Sequence, residues 1–342
     1  MKEFGSDFHY ISSSVFFTEA NSQLNKYTFY ANGRQAIHHL LTLKNWRRIW
    51  IPEYYCYEII SVIRSTGINI ILYPDAPGLK DNTIIENLPF QKYDVLLRMN
   101  FFGMRSYRDN RNVPIEVIED HSHDFSGNWA SNSNADWCIA SLRKTIPIPE
   151  GGALWSPKKH KMPDQPLQTS ENINLVQKRW LAMKLKQEYL FLNTGNKNSF
   201  RELFIETENS FEKLPLSILT QDCIEYLSKF NFHHWNQQKY KNWKVLAQIK
   251  SQQLQIMLPE SKDCNIFSFV FKLKSEQARC IVRSYLIKNN LYPAILWQIP
   301  IEKNKYVIDY SKTMLSIACD GRYNTDDMNE IKIKLENALQ LV

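Results

Sequence analysis

The sequence predicts an α/β protein in which a large domain with a mostly parallel sheet precedes a smaller C-terminal α+β domain. In the first half of the chain, short apolar runs of strand length alternate with helical segments, which is typical of a parallel sheet covered on both faces. In the second half, a long helical stretch at 172–247 precedes a compact mixture of strands and helices. A chain of 342 residues is long enough for two such units.

The elements of the first half follow from their hydrophobic periods. Residues 33–44 carry apolar side chains at helical spacing and predict a helix. Residues 48–51 predict a short strand that ends at Pro52, and residues 55–66 predict a helix with Gly67 as its C′ glycine. Further apolar runs of strand length lie at 68–74, 94–102, 115–120, 136–142 and 152–156.

The last part of the chain alternates between strand and helix patterns after Pro259. We place the boundary between the two domains within 240–260, which gives a large domain at 1–245 and a small domain at 246–342. In the small domain we predict strands at 265–273, 293–299 and 314–319, a helix at 275–290 and a terminal helix that begins at Thr325.

Composition limits the class of protein. No apolar run approaches the ~18 residues that a membrane span needs, and the N-terminus lacks the pattern of a signal peptide, so we expect a cytoplasmic protein. The net charge of +7 comes from 42 basic and 35 acidic residues that are spread along the chain. This balance suits an anionic small molecule, and we expect neither nucleic acid nor membrane as a partner. The six cysteines form no CxxC pair, which indicates reduced thiols.

An acidic pair, Glu119 and Asp120, ends one of the predicted strands. Open α/β sheets bind ligands at the carboxyl ends of their strands, so Asp120 is a candidate site residue, with a helix N-cap or a solvated loop as the alternative. The segment His121-x-His123-Asp124 follows, and its two histidines, which would point to the same face of a strand, could ligate a metal. No third ligand stands nearby at a recognisable spacing, and we therefore expect no metal.

Lys144 stands between an apolar run and a turn that contains two prolines and Glu150-Gly151-Gly152. A lysine at a strand end is usually solvated, but paired glycines allow special backbone geometry that could hold it beside a ligand. Ser141 and Lys144 also match the Ser-x-x-Lys of penicillin-recognising enzymes. The SDN and KTG motifs that accompany it are absent, so we reject that class.

The start of the first predicted helix offers a candidate anion site. Asn32, Gly33 and Arg34 stand where unpaired N–H groups and the positive end of the helix dipole would meet a phosphate. Arg34 would add charge-assisted hydrogen bonds. Taken alone, however, this segment favours a plain N-cap followed by a surface arginine.

The order of these motifs resembles that of the DegT/DnrJ/EryC1/StrS sugar aminotransferases, which are fold-type-I pyridoxal-phosphate (PLP) enzymes. The order runs from Gly33 through the aromatic segment 51–60 and Asn-Phe-Phe-Gly to the Glu-Asp strand end and the lysine with Glu-Gly-Gly. Lys144 lies six residues before Glu150, as in the family, and His123 lies three residues after Asp120, where the family carries Gln or His. Residues 315–331 resemble the family's closing strand, loop and helix.

The resemblance implies a fold-type-I enzyme with a mostly parallel seven-stranded sheet and bound PLP. Lys144 would bond covalently to the cofactor and then act as general acid and base. Asp120 would pair with the protonated ring nitrogen, and a neutral Asn could not do this. The resemblance also implies three other contacts. His123 would contact the ring hydroxyl or lie near Lys144. Gly33, Arg34 and Ser141 would bind the phosphate, and one of Tyr54, Tyr55 and Tyr57 would stack on the ring.

The resemblance also implies an activity. The protein would transfer an amino group from glutamate to a keto-sugar nucleotide in surface polysaccharide or specialised sugar biosynthesis, as a homodimer. The alternatives are a different PLP reaction and a non-catalytic relative that binds cofactor or sugar as a regulator or partner. The chain departs from the family at Arg34, where the family has Thr, and at Ser141, which is three residues before the lysine rather than five. No clear equivalent of the family's Asn-Tyr-Arg stretch is present.

Overall fold

The computed structural model describes residues 2–12, 14–18, 22–79, 81–300 and 304–342. In chain order its strands are β1 Phe4–Gly5, β2 Thr28–Tyr30, β3 Arg48–Pro52, β4 Asn69–Tyr73, β5 Asp94–Met99, β6 Glu116–Asp120, β7 Trp137–Ser141, β8 Gly152–Trp155, β9 Leu254–Ile256, β10 Phe269–Leu273, β11 Leu291–Tyr292 and β12 Met314–Ile317. The helices are α1 Gly33–Leu43, α2 Tyr57–Ser65, α3 Asp81–Ile85, α4 Asn128–Asn132, α5 Ser170–Phe191, α6 Lys197–Ser210, α7 Gln221–Lys229, α8 Phe232–Leu246, α9 Glu276–Lys288, α10 Lys305–Thr313 and α11 Thr325–Leu339.

A seven-stranded sheet in the order β2-β8-β7-β6-β5-β3-β4 forms the centre of the fold. Strands β4, β3, β5, β6 and β7 are parallel, and β8 is antiparallel to both of its neighbours, β7 and β2. The predicted α/β class with a mostly parallel sheet is therefore confirmed.

Both faces of this sheet are covered by apolar side chains, because successive residues of each strand point to opposite faces. On β3, Ile49 and Ile51 belong to the core that α1 and α2 cover. Trp50 lies between them in sequence and belongs to the opposite core, which includes side chains of α7 and α8. Burial on both faces explains why the strands appear in the sequence as continuous apolar runs.

The C-terminal part contains a three-stranded antiparallel sheet in the order β12-β10-β9. Its apolar residues, with those of α9 and α11, are continuous with the core on the α1 face of the large sheet. The short strand β1 pairs with β11, which joins the start of the chain to this part. The division into domains at 1–245 and 246–342 stays a prediction.

Most element predictions are confirmed at their centres. Helices α1 and α2 lie within the predicted ranges, Gly67 has the positive φ of +79° expected of a C′ glycine, and the stretch 172–247 is helical from α5 to α8. All six cysteines are free, as the spacing indicated. Within the described ranges, no helix combines the length and apolar character that a bilayer crossing requires.

Two strand predictions in the last third are wrong in part. The strand predicted at 265–273 begins only at Phe269. The strand predicted at 293–299 is not formed, apart from an isolated bridge between Ala294 and Ser316. The N–H of Trp297 donates to Tyr54 Oη at 3.0 Å, and the N–H of Ile299 donates to a serine hydroxyl at 3.0 Å. Side chains thus satisfy backbone groups that a sheet neighbour would otherwise bind.

Candidate active site

The candidate site lies at the carboxyl ends of β5, β6 and β7. Asp120 is the last residue of β6, and the strand register places it beside Met99 of β5 and Ile139 of β7. This edge is where open α/β sheets bind ligands, as the position of the acidic pair in the sequence suggested.

Asp120 is only 5% exposed and is held by two hydrogen bonds. The Tyr55 hydroxyl donates to its Oδ2 at 2.5 Å, and the Ser122 N–H donates to its Oδ1 at 2.8 Å. Burial, together with the Asp120 carboxylate, raises the pKa of Tyr55 well above its ordinary value, so the phenol remains a neutral donor. Each carboxylate oxygen keeps a further lone pair with which to accept a proton-bearing ligand group.

A buried ionic network supports the strand end beneath Asp120. His121 Nε2 lies 3.0 Å from Glu119 and its Nδ1 lies 2.9 Å from Asp124. Burial alone would lower the His121 pKa, but these two carboxylates raise it well above its ordinary value. Both ring nitrogens are therefore occupied by carboxylates, and the network serves as a rigid support for the site.

His123 is a neutral imidazole within a stack of aromatic rings. Its ring centre is 4.4 Å from that of Phe267 and 5.6 Å from that of Trp297. Burial and the nearby Lys144 charge lower its pKa well below the ordinary value. The Phe102 N–H donates to Nδ1 at 3.1 Å, so the ring proton is on Nε2.

Lys144 ends a short 3₁₀ helix, Leu142–Lys144, that directly follows β7. Its Nζ lies 5.7 Å from the centre of the Trp297 ring and makes no hydrogen bond with the described residues. The glycine turn fixes this short helix, because the Leu142 N–H donates to Gly151 O at 2.9 Å. Gly151 has a φ of +132°, which only glycine adopts easily.

Glu150 anchors the same turn from the other side. Its carboxylate accepts hydrogen bonds from the Thr220 N–H at 2.7 Å, the Thr220 hydroxyl at 2.6 Å and Asn172 Nδ2 at 2.8 Å. Burial raises its pKa, although these donors oppose the shift. The Glu-Gly-Gly motif thus ties the β7–β8 hairpin to α5 and to the start of α7.

The N-terminus of α1 approaches the strand that precedes Lys144. A Cβ on Gly33 would lie 3.1 Å from the Ser141 Cβ, so glycine permits this approach. Asn32 caps the helix by accepting from the Gln35 N–H at 3.0 Å. Its Nδ2 is buried and has no acceptor in the described part of the chain. An unsatisfied buried donor beside a helix N-terminus suits an oxyanion.

The Arg34 guanidinium is surrounded by three carboxylates. Its guanidinium lies 3.2 Å from Glu208, 3.6 Å from Glu212 and 3.8 Å from Glu58. Glu208 lies on α6 and also binds Arg143 through two hydrogen bonds of 2.7 and 2.8 Å.

The structure brings most of the expected site residues into one pocket. The predicted residues that line it are Gly33, Arg34, Tyr55, Asp120, Ser141 and Lys144. Tyr54, Tyr57 and His123 are not among the lining side chains. Tyr54 instead donates to the carbonyl of Leu296, and the Tyr57 hydroxyl is buried without a described partner.

Sequence reasoning missed Ser122 and Trp297, and it treated Asn32 only as part of a helix start. All three line the pocket. Ser122 had a usable signal, since it lies two residues after Asp120. Trp297 had none, because it reaches the site only through the folding of the C-terminal part.

The fold is that of the sugar aminotransferases. PseC of Helicobacter pylori, an aminotransferase involved in the biosynthesis of pseudoaminic acid, matches with a TM-score of 0.64 and 11% identity over 100% of both chains. Spr1654 of Streptococcus pneumoniae in its PLP form matches with a TM-score of 0.64 and 9% identity over 99% of both chains. A DegT DnrJ EryC1 StrS aminotransferase from Brucella abortus matches with a TM-score of 0.56 and 11% identity, over 91% of this chain and 85% of that chain.

These likenesses confirm the predicted fold type across the whole chain. No family model matches the sequence, and no curated protein matches it at the sequence level. With identities of 8–13%, fold is conserved without close sequence similarity, so function depends on the site itself.

Proposed function

We propose that the protein is a PLP-dependent aminotransferase that aminates a keto-sugar nucleotide with glutamate as the amino donor. It would act in the cytoplasm, in surface polysaccharide or specialised sugar biosynthesis. The fold supports this class, and the net charge of +7 suits an anionic substrate.

The single observation that carries the proposal is that Lys144 and the buried Asp120 line one pocket. The other donors and acceptors of this pocket also fit PLP. The unpaired Nδ2 of Asn32 and the N-terminus of α1 offer donors for a phosphate, and Asp120 offers an acceptor for a ring N–H. A pocket whose residues only packed the fold would need neither the lysine nor the unsatisfied donor.

Each residue of the pocket would have a separate role in the reaction. When bound, PLP supplies an electron sink for the pair released as the Cα–H bond of the amino acid breaks. Asp120 would hold the proton on the ring nitrogen, and Tyr55 would fix the orientation of the carboxylate. Lys144 Nζ would accept the Cα proton of the donor and later supply a proton to the carbon of the acceptor that is aminated. Asn32 and Ser141 would bind the phosphate, and Arg34 would add positive charge on release from Glu208 and the other carboxylates that it contacts.

A non-catalytic relative is the second candidate, and the position of Trp297 favours it. The indole lies 6.2 Å from the Tyr55 ring and 5.7 Å from Lys144 Nζ, so it stands beside both groups that would meet the cofactor. In an enzyme, Trp297 has to share the pocket with PLP or move aside. In a binder, Trp297 would stay in place and line the pocket.

A spectrophotometric half-reaction distinguishes the two candidates. The protein is loaded with PLP, excess free cofactor is removed, and glutamate is added while the visible absorption is followed. An enzyme converts the bound cofactor to its amine form, and the visible band disappears. Lys144→Ala should abolish the conversion, whereas Lys161→Ala, at an exposed position, should not. Bound PLP that is never converted by any amino acid would support the binder.

A further inference from the structure

Lys144 lines a second cavity besides the pocket that contains Asp120. This cavity has a volume of about 260 Å³. Its walls come from the N-terminal segment 5–8, from the turn that contains Lys144, from α5, α6 and α8, and from residues of the C-terminal part between 267 and 322. A ligand in it could therefore reach the same lysine from another side.

The arginines that line this cavity are already paired with carboxylates. Arg143 binds Glu208 at 2.7 and 2.8 Å, and Arg179 lies 3.3 Å from the same carboxylate. Arg322 binds Asp320 through two hydrogen bonds of 2.8 and 2.9 Å. Each of these arginines therefore has a carboxylate contact within the protein, although Arg143 and Arg179 share that of Glu208.

Lys239 is different, although it lines the same cavity. It lies on α8, is only 3% exposed, and makes no hydrogen bond or ion pair with the described residues. Burial lowers its pKa to about 8, and more distant attraction from Asp320 and Asp124 limits the shift. Lys239 is therefore mostly protonated at neutral pH. A buried ammonium without a hydrogen-bond partner is unfavourable unless a ligand supplies one.

We propose that Lys239 binds a carboxylate of the amino-acid donor that reacts at Lys144. This inference rests on the proposed function and assigns one of its substrates a place. A cavity of about 260 Å³ is smaller than the ~300–1,000 Å³ typical of drug-sized ligands. It suits an amino acid better than a nucleotide-linked sugar, so the donor rather than the acceptor is the occupant.

Binding of glutarate, an unreactive dicarboxylate, tests the site without any reaction. We expect calorimetry on the PLP-loaded protein to show binding that weakens about tenfold or more in Lys239→Met, since a hydrogen bond to a charged group is lost. Lys241→Met changes an exposed lysine on the same helix and should bind like wild type. Equal binding by Lys239→Met and wild type would overturn the proposal. So would inorganic phosphate that binds through Lys239 at least as tightly as glutarate.

The wild-type protein provides a test that does not depend on whether a variant folds. Glutarate binding should weaken as the pH rises above about 8, because the free Lys239 loses its proton there. Affinity that stays constant between pH 7 and pH 10 would contradict the role of a lysine. Lys239→Gln gives a second neutral variant in which the same loss is expected.

The glutamate half-reaction separates failure of this inference from failure of the proposed function. Lys239→Met should need about tenfold more glutamate for half-maximal rate, with little change in the rate at saturation. An unchanged glutamate dependence would overturn the inference and leave the aminotransferase intact. Glutarate binding that depends on Lys239 in a protein that never reacts with glutamate would keep the carboxylate site and refute the enzyme.

Discussion

Lys239 shows how one residue can destabilise the protein that contains it. Its pKa of about 8 lies below the ordinary lysine value of 10.5, because burial disfavours the charged form. The unfolded chain therefore binds the Lys239 proton more tightly than the folded chain does. Lys239 therefore lowers the free energy of unfolding at every pH below about 8, and this penalty shrinks as the pH rises from 8 towards 10.5.

Lys239→Met should therefore stabilise the protein in the absence of a donor. A difference of about 2.5 pKa units corresponds to about 3 kcal/mol at pH 7. Urea unfolding should show a gain of this order at pH 7 and a smaller gain at pH 10. A lower free energy of unfolding for Lys239→Met than for wild type at pH 7 would mean that a partner stabilises the ammonium in the folded protein.

Asp120 carries the other residue-level prediction. Asp120→Asn keeps the shape of the side chain, its oxygen can still accept from the Ser122 N–H, and its new NH2 group can donate to the Tyr55 hydroxyl oxygen, so PLP should still bind. The half-reaction with glutamate should slow about a thousandfold, because roughly 4 kcal/mol of charge pairing at an effective dielectric near 20 is lost. A rate equal to that of wild type would show that Asp120 has a structural role only. Asp263→Asn, at an exposed position, is the matched control.

At the scale of elements, Glu150 determines how the hairpin of β7 and β8 is attached to the helices. It is the shared acceptor for donors at the start of α5 and of α7. The lysine turn is therefore coupled to both helices through a single carboxylate.

Glu150→Ala should lower the free energy of unfolding by about 3 kcal/mol or more. The change leaves the Thr220 N–H and the Thr220 hydroxyl without their acceptor, whereas Asn172 Nδ2 keeps the carbonyl of Ile218 at 3.3 Å, and each orphaned donor costs ~1–3 kcal/mol. Urea unfolding measures the effect, and Glu202→Ala, at an exposed position on α6, should change it by less than about 0.5 kcal/mol. A loss for Glu150→Ala that is no larger than this would mean that water replaces the carboxylate.

The sequence predicted elements well where local pattern decides them. Helix α1 follows from its apolar spacing, and the end of α2 follows from Gly67. The segment 293–299 was predicted as a strand because its residues are apolar. Its conformation depends on Tyr54, which is distant in sequence, and no local pattern contains that contact.

The site was predictable to the same extent. Asp120 ends β6 and Lys144 follows the neighbouring strand β7, so the sheet itself brings them to one edge. The environment of Arg34 was not predictable, because Glu208 comes from a helix far along the chain. Neither Lys239 nor Trp297 carries a motif, and both reach the site through long-range packing.

At the scale of the whole molecule, the surface of α5 and α6, with the residue after α5, exposes four large apolar side chains. We expect this surface to form a homodimer interface, since large apolar patches usually mark contacts between proteins. The exposed apolar side chains on this surface are Leu181, Phe191 and Ile205, with Leu192 following α5.

Light scattering at micromolar concentration should give twice the chain mass of 40.4 kDa. Ile205→Asp should shift the equilibrium towards monomer, because a buried, unpaired charge disfavours the interface. Ile333→Asp is the control, since Ile333 lies on α11 with an exposure of 58%, close to the 57% of Ile205. A monomeric wild-type protein with PLP bound would contradict the prediction.

Covalent trapping of the cofactor tests the central claim most directly. The protein is incubated with PLP, reduced with borohydride and digested, and the labelled peptide is identified by mass spectrometry. We predict that the label is on Lys144 in wild type, and that no specific label remains in Lys144→Ala. A label on any other lysine, Lys239 included, or no specific label in wild type, would contradict the assignment of this pocket as the PLP site.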